Sequence, residues 1–367
     1  MVKILFFIDS LTGGGAEKVL RTLVNNMDQN KFTITVQTLD EVDPKQYLVP
    51  GIRYKAINRC KTTFGKKLFH YWVRLCAELK LLYPLYIKDD YDIEVAYLEC
   101  GPTKFLADST NKKAKKLAWV HCDLEKRGMD NPGKSKSWYD RYDKVVCVSE
   151  TVKRSFRRVI GSSTDSCVLY NVNDETDILS KAHAFESGKP DSVTFLTVGR
   201  LSFEKGNDRL LDACKMLKGE GHEFSLWLVG DGPERDKLMK QASDLGLDDH
   251  VSFLGFQANP YPYMKSADVI VTPSRYEGFS TVVTEAMILG KAVVTTPCSG
   301  MDELLGNNEF GLITEDSVEG IYQGMKRMLE NPELRESYAK KAAIRGRDFS
   351  KEKLVRQTEQ FFEELLK

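Results

Sequence analysis

The feature that most constrains this fold is a repeated alternation between short apolar runs and amphipathic segments with helical spacing. Runs rich in Val, Ile, Leu and Phe, each bounded by turn residues, predict strands buried on both faces of a sheet. Amphipathic segments between them predict crossover helices, and this alternation is typical of parallel sheets. The predicted strands cover residues 4–8, 32–39, 93–98, 117–120, 145–148 and 166–170, then 193–198, 225–229, 251–254, 269–272, 292–295 and 311–313.

The length and one polar stretch predict two domains. A chain of 367 residues exceeds one ordinary core. Residues 171–191 are rich in Asp, Ser and Asn and contain Gly188 and Pro190, which predicts a linker. We therefore expect a first doubly wound domain over 1–180 and a second over 190–350, facing each other across a cleft.

Composition excludes several classes of protein. The net charge is zero, so nothing favours nucleic acid as a partner. Residues 1–190 contain 31 Lys/Arg and 24 Asp/Glu, whereas the remainder contains 22 and 29, which indicates different partners for the two halves. The eight cysteines form no C-x-x-C pair, as expected for buried thiols in a reducing compartment. No stretch approaches the ~18 apolar residues of a spanning helix, so we expect a cytoplasmic protein, or one on the cytoplasmic face of a membrane.

The segment from Pro273 to Lys291 carries the clearest candidate site. The strand at 269–272 ends in a loop, and a helix follows with Ser280 or Thr281 as its N-cap. A helix N-terminus offers unpaired N–H groups and a partial positive charge to a phosphate. Glu277 and Glu285 flank that terminus, where carboxylates can accept hydrogen bonds from sugar hydroxyls. A solvated loop and an exposed helix face are the alternative for the two glutamates.

Three other strand ends carry candidate residues. Arg200 and Lys205 follow the strand at 193–198 and can clamp a diphosphate, although ordinary surface charge is the alternative. Gly14 and Gly15 open the first helix, where backbone can approach a ligand or simply make a tight turn. His121 ends the strand at 117–120, as a ligand contact or as a hydrogen-bonded structural histidine.

Together these motifs resemble the large family 4 of retaining glycosyltransferases, which has the α/β GT-B fold of two Rossmann-like domains. The final motif is similar to the E-x7-E pattern of that family. The chain departs from the family at 171–174, which are Asn-Val-Asn-Asp, and at 299–303, where the usual Gly-Gly pair is absent. The matches occur in family order at Gly13-Gly14-Gly15-Ala16-Glu17, His121, Val148-Ser149-Glu150, Asn171, Val198-Gly199-Arg200 with Lys205-Gly206, Gly230-Asp231-Gly232-Pro233, and Glu277 through Glu285.

The resemblance implies a role for each candidate residue. Arg200 and Lys205 would hold the donor diphosphate and neutralise the leaving nucleotide. Glu277 would accept from hydroxyls of the transferred sugar, and Glu285 from the ribose. His121 would contact the sugar near its reacting carbon, and Phe256 would contact the base. Gly14 and Gly15 would contact the phosphate. The phosphate and the sugar would also be bound by the backbone of Gly278, Phe279, Ser280 and Thr281.

The resemblance also implies the reaction. A hexose or N-acetylhexosamine would pass from a nucleotide-diphosphate sugar, with UDP favoured, to a saccharide or lipid-linked acceptor in cell-surface polysaccharide synthesis. No cofactor or metal is expected, because cations and a helix N-terminus replace the divalent ion. Asp90-Tyr91-Asp92 has the form of a metal-binding D-x-D but is expected only to initiate a strand. Helix 351–367 would pack back on the first domain. A nucleotide-sugar hydrolase or epimerase of the same fold, or a non-catalytic binding module, are the alternatives.

The basic first half contains a segment that mixes cations, aromatics and aliphatics. It runs from Lys66 through Leu75 to Lys88, and a run of lysines follows at 112–116. One interpretation is a core-facing helix beside a solvated loop. The other is an interfacial surface that holds the first domain against anionic lipid.

Overall fold

The computed structural model describes residues 1–58, 62–128 and 132–367. The chain forms two compact domains, the first made of Met1–Val172 with Lys351–Lys367 and the second of Asn173–Ser350. Each domain is built on one parallel sheet with helices packed against it, so the predicted α/β fold class is confirmed.

The first domain contains a seven-stranded sheet within the described residues. All its strand pairs are parallel. Its strands are β1 (Val2–Ile8), β2 (Phe32–Asp40), β3 (Arg53–Asn58), β4 (Ile93–Ala96), β5 (Lys115–Val120), β6 (Lys144–Cys147) and β7 (Ser166–Val168). They lie in the order β3-β2-β1-β4-β5-β6-β7. The order reverses between β1 and β4, and ligands of such sheets bind at the carboxyl ends of strands beside that point.

Amphipathic helices cover this sheet. In the first helix, Val19, Leu20, Leu23 and Val24 are buried at helical spacing, as expected for an amphipathic helix packed on a sheet. The helices of the first domain are α1 (Gly15–Asn26), α2 (Thr63–Glu78), α3 (Leu82–Tyr86), α4 (Gly101–Ala107), α5 (Leu124–Arg127), α6 (Pro132–Tyr139), α7 (Glu150–Ile160) and, at the end of the chain, α16 (Lys351–Leu365).

The second domain repeats the architecture with six strands, again all parallel. They are β8 (Val193–Val198), β9 (Phe224–Val229), β10 (Val251–Gly255), β11 (Val269–Thr272), β12 (Ala292–Thr295) and β13 (Leu312–Ile313), in the order β10-β9-β8-β11-β12-β13. The order reverses between β8 and β11. The helices are α8 (Glu175–Lys181), α9 (Asn207–Gly219), α10 (Arg235–Asp244), α11 (Tyr261–Ser266), α12 (Thr281–Ile288), α13 (Met301–Leu305), α14 (Val318–Glu330) and α15 (Pro332–Gly346).

The core of the second domain explains why its strands are apolar throughout. Phe195, Leu226 and Val269 are buried in one cluster with residues of α9 and α14. Each fully buried side chain of this size contributes about 1.5–3 kcal/mol relative to exposure. Leu196, Ile270 and Val293 alternate with the strand residues of this cluster, point to the opposite face and are also fully buried. The sheet is therefore covered on both faces, and its loops are left to carry polar residues.

Two expectations from the sequence are corrected by the structure. Strand β3 was not predicted, because its side chains are mostly only half-buried and lack an apolar run. The polar stretch 171–191 is not a simple linker, since it contains α8, which Asp174 caps by accepting a hydrogen bond from the Asp177 amide. The first domain accordingly ends at Val172 rather than at residue 180.

The described cysteines differ in burial. Cys76, Cys147, Cys214 and Cys298 are buried, as expected from the sequence, but Cys100 is exposed, so the expectation of a buried thiol is wrong for Cys100.

Among the described residues, none of the helices combines the length and the apolar composition that crossing a bilayer requires.

Helix α16 packs in the first domain although it ends the chain. The ring of Phe362 is fully buried and meets Phe6 and Phe32 edge-on, with centroid distances of 6.1 and 6.4 Å. At the surface, Glu359 Oε1 accepts a 2.6 Å hydrogen bond from the amide of Asp28. This aromatic cluster ties the final helix to β1 and β2.

We expect Phe362→Ala to lower the free energy of unfolding of the first domain by about 3–5 kcal/mol, because it leaves a cavity beside two aromatic rings. Urea denaturation followed by circular dichroism measures this. The control is Leu366→Ala on the exposed end of the chain, expected to cost less than about 0.5 kcal/mol. Equal losses in both variants would contradict the assignment.

Candidate active site

The site begins where three loops of the second domain meet at the carboxyl edge of the sheet. A Cβ on Gly230, after β9, would lie 1.8 Å from the carbonyl oxygen of Gly199, after β8. A Cβ on Gly206 would lie 2.1 Å from the carbonyl oxygen of Pro273, after β11, and Gly206 has a positive φ of 65°. Only glycine fits at these two positions, so the loops pack backbone against backbone.

An ion pair joins the loops after β8 and β11. Lys205 Nζ lies 2.7 Å from Glu277 Oε1, and Ser274 Oγ donates to the same oxygen at 2.8 Å. Both hydrogen bonds fall on Oε1, and no described residue donates to Oε2. Glu277 is therefore fixed in place with one carboxylate oxygen open to accept from a ligand.

Lys205 is charged in this setting. Burial lowers the pKa of Lys205, but the adjacent Glu277 carboxylate outweighs that effect and holds the pKa above its ordinary value. Removing either partner would leave a largely buried charge uncompensated, which costs far more than the pair contributes. The two residues should therefore be treated as one unit.

The loop that carries Glu277 is held from the neighbouring strand. The carbonyl oxygen of Ser274 accepts from the hydroxyl of Thr296 and, at 2.8 Å, from the thiol of Cys298, both of which follow β12. The short turn at 203–205 is clamped separately. Arg275 makes two hydrogen bonds of 2.8 and 2.6 Å to Asp208 and stacks 4.1 Å above the exposed ring of Phe203.

Helix α12 begins four residues after Glu277. Ser280 caps it by accepting from the amide of Val283 at 3.4 Å. Within the described residues, the amides of Thr281 and Val282 make no hydrogen bond, so two donors remain at the positive end of the helix. Glu285, one turn into the helix, is buried.

Two exposed side chains lie at the same edge of the sheet. Arg200 is exposed and, in the part of the chain that the structure describes, its guanidinium has no hydrogen-bond or ionic partner. Phe256 is 75% exposed and follows Gly255, whose carbonyl oxygen accepts from the amide of Gly230 at 2.8 Å. A free cation and a free aromatic face thus border the site.

The Gly230–Pro233 turn packs against Leu201. The amide of Leu201 donates to the carbonyl oxygen of Asp231 at 3.0 Å, and the amide of Glu234 donates to that of Leu201 at 2.9 Å. The turn therefore supports the loop that bears Arg200.

In the first domain, His121 follows β5 and is neutral near pH 7. Burial lowers the pKa of His121 to about 4, although the carboxylate of Glu99 opposes the shift. Its Nε2 atom is buried without a hydrogen-bond partner among the described residues. Its backbone amide donates to Glu99 Oε2 at 3.1 Å, and Arg127 pairs with Glu99 Oε1 at 2.8 Å. Glu99 and Arg127 were not predicted from the sequence, although Glu99 lies just after the adjacent strand β4.

The glycine loop of the first domain differs from expectation. The N-cap of α1 is Gly14, and a Cβ there would lie 2.0 Å from the carboxylate of Glu17. An anion therefore already lies at this helix N-terminus, and a phosphate near Gly14 and Gly15 requires Glu17 to move. The proposed phosphate contact at this loop stays a prediction.

Asp9, which follows β1 beside this loop, was also not predicted from the sequence. Partial burial and the nearby carboxylates of Glu17, Glu99 and Asp40 raise the pKa of Asp9 to about 6. Acidic side chains from adjacent strand ends thus converge at the switch point of the first sheet.

Comparison with known proteins finds a family match in the second domain. Residues 180–345 match the family of glycosyl transferases group 1. The candidate residues that cluster around Lys205 and Glu277 lie within the matched residues, whereas Gly14, Gly15 and His121 lie in the first domain.

Relatives and solved structures extend the likeness. A Campylobacter jejuni N-acetylgalactosamine-N,N'-diacetylbacillosaminyl-diphospho-undecaprenol 4-alpha-N-acetylgalactosaminyltransferase is 38% identical over 191 residues, 52% of this chain and 51% of that protein. The chain thus spans about half the length of this relative. An uncharacterized glycosyltransferase of Haemophilus influenzae is 24% identical over 97% of this chain and 98% of its own length.

The fold of the whole chain also has a solved counterpart. The structure of HepE from Anabaena, solved with UDP and glucose, has a TM-score of 0.79 and 23% identity, covering 99% of this chain and 100% of that chain. At this identity the likeness shows the fold, the GT-B class of two parallel-sheet domains.

We expect Asp9→Asn to stabilise the protein at high pH. A carboxyl whose pKa rises from 3.8 to about 6 on folding favours the folded state below pH 4, and this contribution is lost as the pH rises through 6. Asn mimics the neutral form, so the margin by which its melting temperature exceeds that of wild type should grow from about pH 4 to pH 6 and then level off. Thermal unfolding across this range is the measurement.

Asp90→Asn is the control, because it removes one exposed carboxylate of the same domain. A pH-independent difference between Asp9→Asn and wild type would show that Asp9 is not crowded by the other carboxylates.

Proposed function

We propose that this chain is a retaining glycosyltransferase of family 4, which transfers a hexose or N-acetylhexosamine from a nucleotide-diphosphate sugar to a saccharide or lipid-linked acceptor. The observation that carries the proposal is the fixed Glu277 carboxylate. Its Oε1 is anchored by Lys205 and Ser274, its Oε2 is open, and two unbonded helix amides follow four residues later. A sugar hydroxyl and a phosphate fit this combination of acceptor and donors.

The diphosphate would lie between the start of α12 and the loop after β8. The amides of Thr281 and Val282 supply neutral donors, and Arg200 supplies a planar fork that matches phosphate oxygens. Lys205 uses one of its three N–H donors on Glu277 and has two left for a phosphate oxygen. The Lys205–Glu277 pair therefore couples recognition of the phosphate to recognition of the sugar.

The same groups would stabilise the leaving nucleotide. As the bond between the anomeric carbon and the phosphate oxygen breaks, negative charge grows on the diphosphate. Fixed cations and amide dipoles already aimed at that oxygen stabilise this charge without reorganising. We propose that they do so without a metal ion.

Retention follows if the acceptor hydroxyl attacks the face that the diphosphate leaves. The acceptor oxygen bonds to the anomeric carbon, and its proton passes to the departing phosphate oxygen, so no protein base is needed. Neutral His121 suits a hydrogen bond to the sugar rather than stabilisation of negative charge by an imidazolium. Burial of its Nε2 means that this contact requires local rearrangement.

Related proteins guide the choice of substrates. HepE was solved with UDP, and the Campylobacter relative is named for a diphospho-undecaprenol acceptor. We propose UDP as the nucleotide, Phe256 and Glu285 as contacts of the base and ribose, and a lipid-linked saccharide acceptor. Such a reaction belongs to cell-surface polysaccharide synthesis on the cytoplasmic face of a membrane, where sugar nucleotides are available.

A donor screen tests the function directly. UDP-sugars should raise the melting temperature of the protein more than GDP-, ADP- or dTDP-sugars, and release of UDP should depend on an undecaprenyl-diphosphate saccharide acceptor. Added EDTA should leave the rate unchanged, because the cationic groups replace a metal. Acceptor-independent release would indicate a hydrolase, and donor binding without release would indicate a binding module; either result would overturn the proposal.

Replacing the cations should separate their roles. We expect Arg200→Ala and Lys205→Ala each to lower kcat by about 100-fold or more, since each removes a group that stabilises developing charge. Steady-state UDP release measures this effect. The matched control is Lys215→Ala, an exposed cation on α9, which should keep wild-type kcat. Near-wild-type turnover by Arg200→Ala would contradict its placement on the diphosphate.

A further inference from the structure

One side of the α2–α3 segment in the first domain exposes large apolar side chains. Tyr71, Leu75 and Leu79 recur every four residues and are 71%, 53% and 58% exposed. Trp72, Leu81 and Leu85 extend the same exposed set. We call these six residues the α2–α3 surface. Scattered exposed leucines are ordinary, but a continuous stripe of this kind marks a binding surface.

The other side of the same segment already makes the packing contacts. Cys76, Leu82 and Tyr83 are buried, and the ring of Phe69 meets that of Tyr86 edge-on with a centroid distance of 6.3 Å. The interpretation of this helix as simply core-facing is therefore wrong for the six residues of the α2–α3 surface. The side chains at 66–68, 70 and 74 lie outside the described residues.

Polar contacts hold this segment to the domain. Tyr83 Oη donates to the buried Glu94 at 2.5 Å, and Gln37 Nε2 donates to the carbonyl oxygen of Tyr86 at 3.3 Å. Lys104 pairs with Glu78 at 2.6 Å. These contacts hold α2 and α3 against the rest of the first domain, so the apolar stripe lies on the solvent-facing side of a well-anchored segment.

The sequence of the segment that carries the stripe is mostly cationic. Between residues 62 and 88 the sequence has one acidic residue, Glu78, and its partner Lys104 already neutralises it. The cations of the same stretch are Lys66, Lys67, Arg74, Lys80 and Lys88. Lys80 and Lys88 are exposed, and the exposed Asp89 and Asp90 follow them, with Asp89 paired to Lys55 at 2.6 Å. An occupant of this surface must therefore be apolar at its centre and negatively charged around it.

We propose that the α2–α3 surface docks the first domain on a bilayer containing anionic lipids. Aromatic and leucine side chains would enter the boundary between headgroups and acyl chains, and the flanking lysines would face the anionic headgroups. A second copy of this surface fits poorly, because pairing two such cationic segments places like charges together. Docking stands independently of the proposed function, since it needs neither a donor nor an acceptor.

Vesicle sedimentation of the full chain tests the proposal without any sugar nucleotide. The protein should bind phosphatidylcholine vesicles containing phosphatidylglycerol more tightly than vesicles of phosphatidylcholine alone. Leu75→Ser with Leu79→Ser should weaken binding by about tenfold or more per leucine, because each loses apolar burial. The matched control combines Met239→Ser and Ile344→Ser, exposed apolar residues of the second domain, and should bind like wild type.

Tryptophan fluorescence locates the contact. Trp72 is 47% exposed, Trp138 is half-buried, and Trp119 and Trp227 are 2% and 5% exposed. Phosphatidylglycerol vesicles should shift the emission of wild type to shorter wavelength. Trp72→Phe should abolish that shift while retaining most of the binding, since Phe also partitions into the interface. Circular dichroism confirms that each variant is folded.

Three outcomes would overturn the proposal. The first is absence of binding to phosphatidylglycerol vesicles at low salt. The second is equal binding by wild type and the folded double-leucine variant, which would leave charge alone as the cause. The third is a concentration-dependent dimer by light scattering that the leucine substitutions abolish, together with no vesicle binding, which would assign the surface to a second copy of the chain.

Discussion

The ion pair between Lys205 and Glu277 joins two loops that are 72 residues apart in the sequence. It forms because β8 and β11 are neighbours in a parallel sheet and end at the same edge. Glycines at 206 and 230 let the backbones approach closely enough for the side chains to meet. Because the pair is largely shielded from water, neither charge is tolerated alone. The geometry of the whole candidate site therefore depends on these two residues remaining together.

Buried strands were the part of the fold most readily predicted from sequence. The runs at 193–198, 269–272 and 292–295 match β8, β11 and β12 to the residue, because they are continuous apolar segments bounded by turn residues. Strand β3 (RYKAIN) lies at an edge and is mostly half-buried, so its pattern carries no such signal. Helix α8 was hidden by its own polar composition. It is short, and one buried residue, Ile178, secures it, which is too little to produce a recognisable apolar period.

Within the second domain, the sequence could indicate which residues lie close together but not how they are connected. Arg200, Lys205 and Glu277 follow neighbouring parallel strands, and the carboxyl ends of such strands meet at one edge of the sheet. The sequence could not reveal that Lys205 engages Glu277, since pairing depends on rotamers across two loops. It also could not reveal that Glu17 folds over Gly14. Thr296 and Cys298 could have been predicted from the sequence, because polar residues that follow the next parallel strand lie beside the loop after β11.

The α2–α3 surface marks the limit of periodicity as a signal. Spacing of apolar residues identifies the faces of a helix, but which face is covered depends on what packs there. Here the covered face is anchored partly by polar bonds, through Tyr83 to Glu94 and from Gln37 to the Tyr86 carbonyl. The apolar stripe is consequently not needed to hold the helix in place. Exposure of an apolar stripe to water is unfavourable and adds nothing to folding stability. The unfavourable hydration is removed when an apolar phase covers Tyr71, Trp72, Leu75 and Leu79.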